Sequence, residues 1–83
     1  MAVPVRQETE TLYRIGRLAR KAGVSRQVIG LYCMYGLLAE AARTPGGHRL
    51  FDDTTVRRIR LIKDLNRRYT LREVGAIFLR GRT

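Results

Sequence analysis

Three points in this 83-residue chain share one local pattern that opens a helix, and they divide it into short, closely spaced helical units. Ser25 is followed by an apolar-periodic run, with Val24 before it and Ile29 four positions into it. Asp52 is flanked in the same way by Phe51 and Val56, and Thr70 by Tyr69 and Val74, with Glu73 completing a capping box on Thr70. A side-chain oxygen at each N-cap satisfies an orphan backbone donor, and the flanking apolar pair staples the entry of the chain. An earlier helix is predicted from Ile15, Leu18, Ala19 and Ala22, at i, i+3, i+4 and i+7, stopped by Gly23 in a left-handed conformation. The second helix ends at Gly36. The third presents Val56, Ile59, Ile62 and Leu65 inward, with Arg57, Arg58, Arg60, Lys63 and Arg67 around the rest. The last buries Leu71, Val74, Ile77 and Phe78 and stops at Gly81.

Between the second and third helices, Thr44-Pro45-Gly46-Gly47 is a turn by composition. Glu40–Arg43 and His48–Phe51 flank it, the latter joining polar His48-Arg49 to apolar Leu50-Phe51 as a half-buried strand, which predicts a small β-hairpin; a plain loop is the competing reading. Leu12–Ile15 is expected to form a short strand leading into the first helix. Residues 1–10, with Pro4 and no periodicity, read as a flexible tail, leaving 11–83 as one folded domain. The expected fold is thus mostly α, with about four helices and a β-hairpin.

Charge narrows the function. Seventeen Lys+Arg against seven Asp+Glu give a formal +10, which points to a polyanionic partner rather than to a metabolic enzyme. Fifteen of the seventeen are arginines, whose donor forks suit phosphates and guanine edges, although a biased genome also enriches arginine. Residues 43–83 hold most of the excess. The lone Cys33 excludes an internal disulfide and a Cys-rich zinc site, and reads as a small core residue. Asp52-Asp53 reads as helix capping rather than acid–base chemistry, and His48 has no metal-ligating neighbour in sequence. No phosphate-loop or nucleophile motif appears, so no enzyme activity and no cofactor is expected. The chain has neither a membrane-spanning run nor a signal-peptide core, and a cytoplasmic, nucleoid-associated location is expected.

Ile15 to Met34 has the layout of a helix-turn-helix. Ala19 permits close helix contact, Gly23 makes the tight turn, and Val24, Ile29 and Tyr32 seal the second helix on the first. Ser25, Arg26, Gln27, Gly30, Leu31 and Met34 are left facing outward. Arg26 is placed to read guanine and Gln27 adenine, while amides near Ser25 suit a phosphate.

The order helix-turn-helix, hairpin, two helices resembles the DNA-binding domain of the MerR family of bacterial transcription regulators. The match is carried by Tyr13-Arg14-Ile15-Gly16, Leu18-Ala19, Gly23-Val24-Ser25, Tyr32, Gly36-Leu37-Leu38, Arg43 through Phe51, and Tyr69 through Val74. The resemblance implies a winged helix-turn-helix on double-stranded DNA, with the second helix in the major groove and the hairpin as a wing on the adjacent backbone. It implies wing contacts from Arg43, His48 and Arg49, a phosphate contact from Lys63, and a DNA contact from Tyr32. Arg17 in the first helix completes the expected set.

Two departures stand out. Where the family usually has Arg-Tyr-Tyr-Glu, this chain has Gly30-Leu31-Tyr32-Cys33, so only Tyr32 carries over. Gly30 costs a helix about 1 kcal/mol relative to Ala. Typical relatives also continue into a dimerising helix and an effector module; the expectation is either a domain from a longer regulator or a small relative acting alone, as an oligomer or with a partner. Excisionase-like or packaging factors of mobile elements remain an alternative, as does a basic RNA-binding or protein-interaction module. RNA binding usually requires exposed aromatics, and Tyr32, Phe51, Tyr69 and Phe78 are assigned to packing.

Overall fold

Each of the three expected N-caps is made. Ser25 Oγ accepts from the Val28 amide at 3.1 Å, Asp52 Oδ1 from the Thr55 amide at 3.2 Å, and Thr70 Oγ1 from the Glu73 amide at 3.1 Å. Glu73 Oε1 returns the bond to the Thr70 amide at 2.8 Å, closing the capping box. In the computed structural model, which describes residues 11–81, these caps open α2 (Arg26–Met34), α3 (Asp53–Leu65) and α4 (Leu71–Arg80). Ahead of them lie β1 (Tyr13–Arg14) and α1 (Ile15–Ala22), and between α2 and α3 lie β2 (Ala42–Arg43) and β3 (Arg49–Phe51). The tail assigned to residues 1–10 lies outside the described residues.

The hairpin forms, and a plain loop is excluded, but the sheet is larger than a hairpin. Three antiparallel strands run in the order β1-β3-β2, with Tyr13 opposite Phe51, Arg14 opposite Leu50 and Arg43 opposite Arg49. The strand expected ahead of the first helix thus ties that helix to the wing. Along β3 burial rises as the residues turn from polar to apolar: Arg49 is exposed, Leu50 half-buried and Phe51 wholly buried.

The core gathers around α1, α2 and α3. Leu18, Ile29, Phe51, Ile59, Ile62, Leu37 and Val74 are fully or almost fully buried, and Ala19 and Ala22 let α1 approach its neighbours. Burying side chains of this size stabilises by roughly 1.5–3 kcal/mol each before entropy is counted. On α4 only Val74 is fully buried; Leu71, Ile77 and Phe78 are half-buried. Tyr69, expected as a staple, stays 40% exposed, while Val74 is fully buried. Among the described residues no helix is long and apolar enough to cross a membrane.

Candidate nucleic-acid interface

The turn between α1 and α2 sets the interface. Gly23 adopts φ +73°, a region costly for other residues, and its amide and that of Val24 both donate to Ala19 O, at 2.9 and 3.1 Å. The chain therefore reverses within two residues and starts α2 at Ser25. Because Ser25 Oγ takes the Val28 amide, the amides of Arg26 and Gln27 have no intrahelical acceptor. Amides of this kind at a helix start carry a partial positive charge suited to a phosphate. Ser25, Arg26, Gln27, Leu31 and Met34 are all exposed, Met34 at 75%. Lys63 Nζ and Arg60 Nη2 reach across from α3 to Gly23 O and Lys21 O, each at 3.4 Å. They satisfy carbonyls at the negative end of α1, so Lys63 braces the turn beside the opening of α2.

Arg26 lies directly on Gly16, where a Cβ would stand 2.6 Å from Nη2. From there it lines one cleft together with Arg14, Arg17 and Arg20 and with Gly47, His48 and Arg49 of the wing. Leu12, Ile15, Gly16 and Leu50 complete the lining, which contains five arginines and one histidine and no acid. Close guanidinium groups with no acid among the lining residues concentrate positive potential, the field that attracts a polyanion. Arg17 is also steadied by its position 5.4 Å from the Tyr13 ring centroid, with Lys21 at 5.2 Å.

The wing turn is built from local bonds. Gly47 N donates to Thr44 O at 2.9 Å, Gly47 takes φ +89°, and Thr44 N donates to His48 O at 2.9 Å. A turn followed by a left-handed glycine is the usual three-residue hairpin connection. His48 N donates to Thr44 Oγ1 at 3.1 Å, leaving the ring exposed at the tip. Arg43 arches back, with Nη1 donating to Gly47 O at 3.3 Å and Nε to Glu40 Oε2 at 2.9 Å. Glu40 Oε1 lies 3.9 Å from Arg49 Nε. The hydrogen bond from Arg43, helped by the field of both arginines, holds the Glu40 carboxyl below the usual carboxylate range.

The expected contacts divide accordingly. Arg17, Arg26, His48 and Arg49 share the cleft; Ser25 and Gln27 are exposed on the opening of α2; Arg43 folds back onto the wing turn, and Lys63 sits at the turn between α1 and α2. Tyr32 departs from the set. It is 4% exposed with its ring in the core, and burial pushes its phenol pKa up, so the sealing role prevails over the contact implied by resemblance. Cys33 is half-buried against the core, and burial is the main reason its thiol is pushed up. Among the described residues no group of three or more His, Cys, Asp or Glu side chains is arranged to hold a metal ion.

Sequence reasoning missed Arg14 and Arg20 in the cleft, and also Glu40. An i, i+3 spacing of Arg14, Arg17 and Arg20 was the available signal for the first two. Nor did it set Arg58 apart from the other cations around the outside of the third helix. That guanidinium instead donates from Nε to Leu37 O at 2.7 Å and lies 4.3 Å from the Phe78 ring centroid. Asp53, read with Asp52 as helix capping, accepts from Tyr13 Oη at 2.7 Å.

A helix-turn-helix with a sheet-anchored wing beside its second helix defines a winged helix-turn-helix domain. The family model for MerR HTH family regulatory proteins matches residues 13–80, and the chain belongs to that family. Over 66 residues it is 40% identical to the mercuric resistance operon regulatory protein of Bacillus cereus, covering 78% of this chain and 50% of that one. Over 51 residues it is 45% identical to the HTH-type transcriptional regulator MerD of Acinetobacter calcoaceticus, covering 61% of this chain and 42% of that one. The chain thus spans half or less of these relatives, which are transcriptional regulators. Among solved structures, a MerR-family transcriptional regulator from Bacillus cereus aligns with a TM-score of 0.73 at 24% identity, covering 83% of this chain and 52% of that one. HiNmlR, a MerR family regulator lacking the sensor domain and bound to promoter DNA, aligns with a TM-score of 0.69 at 23% identity, covering 86% of this chain and 57% of that one. At these identities the likeness is one of fold.

Proposed function

We propose that this chain binds double-stranded DNA with sequence preference, as the DNA-recognition part of a bacterial transcription regulator acting in the cytoplasm. The opening of α2 enters the major groove, where Arg26 and Gln27 meet base edges and the free amides near Ser25 meet a phosphate. The wing lies along the neighbouring backbone, with Arg49 and His48 contributing charge and hydrogen bonds that set position without reading sequence. The observation that carries this reading is the acid-free cleft lined jointly by Arg26, His48 and Arg49. Its support from outside the chain is family membership and a relative of the same fold bound to promoter DNA.

The relatives are regulators, and we read this chain as a binding module without catalytic activity. Selection on random duplexes, followed by footprinting of the enriched sequence, tests the proposal. A defined site should emerge, and affinity should fall with salt at a slope of about −0.9 per neutralised phosphate. Inverted, direct or single half-sites in that footprint report the assembly that binds. Equal affinity for every duplex would reduce the chain to an architectural factor, and preference for RNA would remove the reading altogether.

A further inference from the structure

Glu40 holds an unusual position for an acid on a surface meant to meet phosphate. Arg43 and Arg49 are directly opposite each other in the β2–β3 register, so their side chains leave the same face of the wing. The Thr44–His48 pair beside them is hydrogen-bonded, which by antiparallel alternation makes Arg43–Arg49 the close-approach pair. Two like charges so placed repel each other. Glu40 lies between them just ahead of β2, with one carboxylate oxygen at 2.9 Å from Arg43 Nε and the other 3.9 Å from Arg49 Nε. Its side chain is 31% exposed, less than either arginine at 50% and 43%. A single carboxylate offering an oxygen to each of two guanidinium groups is the arrangement a backbone phosphate would make with the same pair.

We propose that Glu40 is an internal stand-in for a DNA phosphate: it holds Arg43 and Arg49 together in the free protein and is displaced or shared when the wing docks, which tempers the wing's sequence-independent affinity. The inference rests on the reading of the wing as a backbone contact. In the free chain the carboxylate cancels one of the two wing charges, so a docking phosphate gains less than two free arginines would give it. The same contact keeps the two guanidinium groups from splaying apart, so the wing meets DNA already arranged around an anion.

Affinity for a random-sequence duplex, measured by fluorescence anisotropy over a series of salt concentrations, tests this with Glu40→Gln, Arg43→Ala/Arg49→Ala and the triple variant. Glu40→Gln should bind about two- to fivefold more tightly at low salt, the range an exposed ion pair is worth, with a salt slope steeper by up to about 0.9. On the Arg43→Ala/Arg49→Ala background the same substitution should give little gain. A gain of equal size on that background would mean general charge rather than release of the arginines, and would overturn the proposal. Weaker or unchanged binding by Glu40→Gln would overturn it too. Unchanged binding by Arg43→Ala/Arg49→Ala would instead refute the wing contact itself, so the two failures are distinct. Glu40→Asp retains the charge but shortens the reach and should fall between wild type and Glu40→Gln; equality with wild type would remove the dependence on position.

Discussion

The guanidinium of Arg26 rests on the Cα of Gly16, so close that a Cβ there would meet Nη2 at 2.6 Å. A residue of the α1 start thereby aims the first side chain of α2 along the cleft toward the wing. Gly16 does not have positive φ, so its value is the absence of a side chain rather than backbone freedom.

Gly16→Ala separates these effects. Alanine is favoured over glycine inside a helix by about 1 kcal/mol, and the crowding atom is the end of a flexible side chain. The melting temperature should therefore hold or rise, while discrimination between the selected site and a random duplex falls several-fold. Thermal unfolding and competition binding on the same preparation check both halves.

Arg26 and Arg49 should fail differently. Arg26→Ala should lose preference for one base position, about 1–3 kcal/mol of discrimination if the contact is a bidentate pair, with smaller loss on random DNA. Arg49→Ala should weaken binding to every sequence alike and reduce the salt slope by about 0.9. Parallel titrations of specific and random duplexes would expose identical behaviour, which would strip Arg26 of its reading role.

Tyr13 Oη donates to Asp53 Oδ1 at 2.7 Å and ties β1 to the start of α3. That hydrogen bond, then burial, then the Asp53 charge raise the phenol pKa above its ordinary 10.0. A raised folded-state pKa means this stabilisation is fully present below pH 10 and is lost as pH climbs through the folded value. Tyr13→Phe should lower the melting temperature by roughly 4–8 °C at neutral pH, and the gap from wild type should close in alkali. Melting curves from pH 7 to 11 measure this.

Arg58 illustrates a cation spent on the fold. Its bond to Leu37 O and its stacking on Phe78 join the loop after α2 to α4. Arg58→Ala should cost roughly 1–3 kcal/mol in denaturant unfolding yet leave DNA affinity of the folded protein unchanged. A loss of affinity at full folding would return Arg58 to the interface.

What could be read in the sequence was what neighbours in the chain decide. Ser25, Asp52 and Thr70 bond amides three residues away, and Thr44 to Gly47 closes on itself, so caps, helix starts and the wing turn were legible. Tyr13 with Asp53 and Arg58 with Leu37 join positions 40 and 21 residues apart, and no local pattern announces them. Among fifteen arginines, sequence alone could not separate those facing the cleft from those bonded to carbonyls, because one guanidinium serves phosphate and peptide oxygen equally well. Tyr32 shows the converse: its helical position fitted both the core and a surface contact, and the direction of its side chain decided for the core.

In the proposed binding mode the opening of α2 and the wing grip one duplex together. Photo-crosslinking from position 27 and, in a second preparation, from position 48, on the same end-labelled selected site, tests it most directly. Position 27 should mark bases in a major groove, and position 48 the backbone a few base pairs away within the same half-site. Crosslinks from position 27 with none from position 48, or marks from the two on unrelated parts of the duplex, would contradict it.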